Sequence, residues 1–288
     1  MTHDTEARSQ ATPTIGVFDS GFGGLTVLRS LIHHMPQARY AFIGDTARLP
    51  YGSKSRRTIA RYAAQSAQFL VQEQGAEFLV IACNTASALA FDAIKEAVPT
   101  IPVLGVIEPG AEAARAASHT GDVLVIATDA TVQSHAYLAA CKQRGLRTIE
   151  KACPLLVPLV EEGWIDHPVT REVIEIYLNE LRSEAGEHGF RADTLVLGCT
   201  HYPLLRSAFE HAVRPGVTVI DSAESTAQAA VKLFNGRVGS ALARPSATRP
   251  KQTEVRCFAT DSVEKFERLG SRFLGRPVGN VTLVDLGG

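Results

Sequence analysis

Short β-branched runs alternate along the chain with longer amphipathic stretches, a pattern that predicts repeated strand–helix–strand units. Thr14 to Phe18 reads as a first strand, followed by Leu25, Leu28, Leu31 and Ile32 at helical spacing over 25–34. A second strand covers 39–44 and ends in a polar turn over 45–52. Residues 55–74 form a long amphipathic stretch that Gly75 stops. A strand ending at Ala82, a helix over 87–97 and a strand over 103–106 follow, and Glu108-Pro109-Gly110 reads as a boundary. The alternation then restarts, with strands over 122–127, 148–152, 195–198 and 217–220 and helices over 170–184, 204–212 and 221–234. Residues 236–254, rich in Gly, Ala, Arg, Pro and Ser, read as a loop. A strand over 255–259, a helix over 263–273 and a strand over 281–284 close the chain.

This order predicts an α/β fold of mostly parallel sheets flanked by helices. The strands are continuous apolar runs, as strands covered on both faces are. Two pseudo-symmetric lobes are expected, with a cleft between them. The first takes 14–107 plus 222–288, the second 108–221, and residues 1–13 are expected to be a flexible leader. A hydroxyl-bearing turn precedes a thiol in each half. Asp19 lies 64 positions before Cys83 (83 − 19), and Thr128 lies 71 before Cys199 (199 − 128).

Composition narrows the function classes. With 288 residues and 45% hydrophobic content, a sizeable core is available. The net charge is −1 and no basic stripe stands out, which argues against nucleic acid as the partner. No apolar run reaches the roughly 18 residues that a membrane span needs. Residues 1–13 lack the apolar segment of a secretory signal, so a cytoplasmic location is the default. The five cysteines form no C-x-x-C pair, which suits neither a disulfide scaffold nor a zinc ribbon.

Cys83 and Cys199 each end an apolar run and are followed at once by polar residues, Asn84-Thr85 and Thr200-His201. Ligands of open α/β sheets bind just beyond such strand ends. Three chemistries compete there. A metal would want a denser ligand set than Cys199 with His201. A single Cys nucleophile with a His base would leave one thiol idle. Two thiols facing one substrate carbon use both, one removing a proton while the other donates one. The turn Asp19-Ser20-Gly21-Phe22-Gly23-Gly24 lacks G-x-G-x-x-G spacing, and reads as a tight turn whose amides bind a carboxylate rather than a nucleotide.

These motifs, Asp19-Ser20-Gly21-x-Gly23-Gly24, Pro50-Tyr51-Gly52, Cys83-Asn84-Thr85, Pro158-Leu159-Val160-Glu161-Glu162-Gly163 and Gly198-Cys199-Thr200-His201, resemble those of the glutamate racemases from about Ile15 to Phe234. That family is cofactor-independent and supplies D-glutamate for bacterial peptidoglycan. Related aspartate racemases carry Glu after the second Cys-Thr, where this chain has His201, so the resemblance favours glutamate. It implies that Cys83 acts on D-glutamate and Cys199 on L-glutamate. Asp19 and His201 would assist the two thiols, with Glu161 close to the second. Asp19, Ser20, Pro50, Tyr51, Gly52, Asn84, Thr85, Thr200 and His201 would surround the substrate with the thiols. No metal or other cofactor, no membrane partner and a homodimer are further expectations. The alternatives are a racemase for another acidic amino acid, such as aspartate, and a non-catalytic amino-acid-binding protein.

Overall fold

The computed structural model describes residues 13–238 and 253–287. The expected leader, except Pro13, and most of the loop expected over 236–254 lie outside the described residues. The chain opens with β1 (Thr14–Asp19), α1 (Leu25–His34), β2 (Arg39–Gly44), α2 (Arg56–Gln68), β3 (Phe78–Ile81), α3 (Asn84–Leu89), α4 (Phe91–Ala97) and β4 (Val103–Gly105). α5 (Ile107–Ala117) leads to β5 (Asp122–Ala127), α6 (Asp129–Gln133), α7 (Ala136–Gln143), β6 (Arg147–Ala152), α8 (Leu156–Glu161) and α9 (Pro168–Glu187). Then come β7 (Thr194–Gly198), α10 (Arg206–Ala212), β8 (Thr218–Asp221), α11 (Ser222–Val238), β9 (Val255–Ala259), α12 (Val263–Leu274) and β10 (Val281–Leu283).

Among the described residues all strands pair in parallel, in two sheets. The first has the order β10-β9-β2-β1-β3-β4, the second β6-β5-β7-β8. Within the first, β2-β1-β3-β4 repeats the second sheet's order, and β9 and β10 extend it at the β2 edge. The C-terminal strands β9 and β10 thus join the first sheet. β1, β3, β5 and β7 are buried along their whole length, because helices cover both sheet faces.

Local chemistry sets the helix ends. Ser55 caps α2 by accepting the Thr58 amide at 3.3 Å. The stretch predicted to run to residue 74 does so, but its last turn, Phe69–Glu73, widens to π geometry before Gly75 turns the chain with φ +67°. Glu108-Pro109-Gly110, read as a boundary, lies in the first turns of α5, the helix that carries the chain from one sheet to the other. Proline is tolerated there because early helical amides have no intrahelical acceptor. The helix expected from Ser87 instead begins at Asn84, since the Cys83 thiol itself accepts the Ala86 amide at 3.4 Å and caps α3.

Candidate active site

The carboxyl ends of β1, β3, β5 and β7 meet around one cavity of about 320 Å³. Each thiol enters it from its own sheet: Cys83 just after β3, Cys199 just after β7. The cavity also gathers Asp19, Ser20, Pro50, Tyr51, Gly52, Asn84, Thr85, Glu161, Thr200 and His201, so every candidate catalytic or substrate-contacting residue lines it.

The two thiols have unlike surroundings. The Cys83 thiol donates to Ser20 Oγ at 3.3 Å. Burial, then the nearby Asp19 charge, pushes its pKa up to about 12, against the opposing hydrogen bonds of Ser20 and Ala86. Asp19 is itself raised by burial, although the His201 charge and the amides of Gly24, Gly21 and Ser20 oppose the rise. Its Oδ2 accepts the Gly21 amide at 2.9 Å, so amides expected to hold a ligand carboxylate are turned onto Asp19 instead. Oδ1 is buried without a partner among the described residues.

Cys199 faces an imidazole. Its Sγ lies 4.0 Å from His201 Nδ1, and His201 Nε2 lies 3.3 Å from Glu161 Oε1. Burial disfavours charge on the ring, but Cys199 and Glu161 outweigh it and raise the His201 pKa to about 10. Burial raises Glu161 too, yet His201 and Lys265 hold it below the usual carboxylate range. Phe22 and Phe273 pack against the imidazole with ring centroids 6.1 and 5.0 Å away.

Hydroxyl and amide groups fill the remaining wall. Thr85 Oγ1 lies 3.1 Å from Thr128 Oγ1 and 3.3 Å from Thr131 Oγ1, joining the two halves across the cavity. Tyr137 donates to Asn84 Oδ1 at 2.8 Å, which leaves the buried Nδ2 without a partner among the described residues and aimed to donate to a ligand. Tyr51 donates to Asp45 Oδ2 at 2.5 Å, while Asp45 Oδ1 takes Arg48 Nε at 2.8 Å and the Thr260 hydroxyl at 3.0 Å. This buried network fixes the Leu49–Gly52 wall.

Sequence reasoning missed Thr128, Asp129, Leu49, Phe22, Pro154, Val157 and Pro158 as lining residues. The hydroxyl-rich turn after β5 was a usable signal for Thr128. Asp45 and Lys265 carried none, because their partners are distant or lack a motif. No group of three or more His, Cys, Asp or Glu side chains able to hold a metal ion occurs among the described residues.

Fold and cavity together define an α/β cleft protein that sets one thiol from each of two parallel sheets against a polar, anion-ready wall. Residues 25–230 match the family described as Asp/Glu/Hydantoin racemase, and the chain belongs to that family. It is 56% identical over 297 residues to the glutamate racemase of Koribacter versatilis (strain Ellin345), spanning 97% of this chain and all 100% of that one. The glutamate racemase of Francisella tularensis subsp. tularensis SCHU S4, solved in complex with D-glutamate, superposes with a TM-score of 0.82 at 33% identity, covering 96% of this chain and 98% of that one. The Thermus thermophilus glutamate racemase, solved with beta-chloro-D-alanine, gives a TM-score of 0.81 at 40% identity over 96% and 98% of the two chains.

Proposed function

We propose that this chain interconverts L- and D-glutamate without a cofactor, using Cys83 and Cys199 as bases on opposite faces of the substrate. The observation that carries the reading is the entry of one thiol from each sheet into a single cavity, each with its own polar assistant. With L-glutamate bound, the Cys199 thiolate takes the α-proton and the C–H electron pair passes into the α-carboxylate. The Cys83 S–H then gives its proton to the opposite face of that carbon, leaving D-glutamate, a Cys199 thiol and a Cys83 thiolate. Proton exchange with solvent resets the pair, and the reverse sequence converts D- to L-glutamate. His201, backed by Glu161, serves Cys199; Asp19 serves Cys83.

The substrate carries two carboxylates, and the site offers N–H and O–H donors for them. Ser20, Tyr51, Gly52, Asn84, Thr85 and Thr200 supply these donors, and Pro50 shapes the wall beside them. The product is the D-glutamate that bacterial peptidoglycan requires, and the same proposal takes the chain to act in the cytoplasm, where precursors are made, and to work as a homodimer. Among the described residues no helix is long and apolar enough to cross a membrane.

Polarimetry on pure L-glutamate tests this reading. Optical rotation should decay to zero with no added cofactor, and equally fast after dialysis against a chelator. Faster decay with L-aspartate, a need for pyridoxal phosphate, or no decay from folded protein would refute it.

A further inference from the structure

The Cys199 side of the site continues outward beyond the carboxylate. Glu161, at the end of α8, presents Oε1 to His201 Nε2 at 3.3 Å and Oε2 to Lys265 Nζ at 3.5 Å. Lys265 comes from α12, which packs against α1 on the first sheet, whereas Glu161 follows the second sheet's β6. The ammonium also lies 5.6 Å from the ring centroid of Phe22, the buried aromatic that packs against His201. One lysine therefore touches both the carboxylate and the aromatic wall that hold the same imidazole. Among the described residues, Cys83 has no counterpart to this relay.

We propose that Lys265 is a positioning residue for the Cys199 half of the site, fixing the Glu161 carboxylate against His201 and so orienting the imidazole beside the thiol. The catalytic part of this inference rests on the two-base reading. The Glu161 side chain is 22% exposed, and without a partner on Oε2 it can rotate toward water. The charged and titratable groups around the imidazole are Cys199 on its own turn, Asp19 from the end of β1, Glu161 from α8 and Lys265 from α12. Phe22 and Phe273 close the other sides.

Two modes of action differ in sign. If Lys265 acted only as a nearby positive charge, it would oppose protonation of His201, and its removal would favour the imidazolium. If it acts by holding Glu161 in place, its removal loosens the carboxylate and the imidazolium is lost at lower pH. Lys265→Met keeps the stem that covers Phe22 and removes the charge, while Lys265→Arg keeps both. The readout is the ring titration of His201 by NMR of the histidine-labelled full chain, assigned with His201→Asn.

The expected result is a His201 midpoint lowered by about half to one pH unit in Lys265→Met, the scale of a half-exposed ion pair. Lys265→Arg should restore it, and kcat from L-glutamate should fall up to about fivefold in Lys265→Met with KM little changed. In a Glu161→Gln background the same substitution should change nothing further. An unchanged or raised midpoint, an equal effect without Glu161, or an unmoved kcat beside a moved midpoint each overturns the proposal. The titration is read without turnover, so a chain that failed to racemise glutamate would refute the proposed reaction and leave the coupling to be judged separately.

Discussion

Replacing one thiol at a time separates the two halves of the reaction. Cys83 and Cys199 are 6% and 5% exposed, and serine removes little volume at either. At position 83 a hydroxyl keeps the Ser20 and Ala86 partners, so the stability cost is about 1 kcal/mol. A domain stable by about 5–15 kcal/mol stays folded through that. The chemical loss is larger, because a hydroxyl is a far poorer acid than a thiol. Losing one proton-transfer group costs about 10²- to 10⁴-fold in racemisation, or roughly 3–5 kcal/mol of barrier. Racemisation alone cannot assign directions. The two enantiomers are equal in free energy, so kcat/KM must fall equally both ways in any variant. Elimination from a glutamate analogue with a leaving group on the β-carbon is irreversible and needs only the abstracting base. Cys83→Ser should keep elimination from the L-analogue, and Cys199→Ser from the D-analogue. The Cys83 pKa of about 12 adds a second signature. At pH 7 the unliganded enzyme carries about one Cys83 thiolate in 10⁵, so kcat/KM for D-elimination by Cys199→Ser should rise about tenfold per pH unit. Leaving-group release, followed by stopped time points, reads both. If both variants lose both eliminations equally with fold and substrate binding intact, the thiols act as one unit and the two-base assignment is wrong.

Two further perturbations follow from the geometry. The His201 pKa of about 10 stands above the ordinary 6.5, so the stability its charge contributes is full below about pH 6.5 and lost as pH rises through 10. Wild-type urea midpoints should fall between pH 7 and 10 more steeply than those of His201→Asn; parallel slopes would refute this. A Cβ at Gly23 would fall 2.6 Å from His201 Nδ1 and similarly close to Thr200 Oγ1. Gly23→Ala should cost about 1–3 kcal/mol in stability while lowering activity more than that cost explains, and full activity would show that the two side chains give way freely.

The alternation of strands and helices, and the thiols at two strand ends, were legible along the chain for a local reason. Parallel strands covered on both faces must be continuously apolar, and the polar residue that ends such a run marks the rim of the sheet. That is why Cys83-Asn84-Thr85 and Cys199-Thr200-His201 stand out in the sequence. The hydroxyl turn at Thr128 was visible too, but its contact with Thr85 was not, because it joins side chains 43 positions apart across the cavity. Asp45 draws Thr260 from 215 positions away, and Lys265 reaches Glu161 across 104. The resemblance assigns the two cysteines different partners, Asp19 and His201, but not the charge that each site holds. Both look like thiols after buried strands, yet one is held protonated by burial and a carboxylate, while the other faces a charged imidazole. Periodicity reports which face of an element is buried. Which groups share a low-dielectric space, and therefore what charge each can hold, depends on how distant elements pack, and only the tertiary structure decided that.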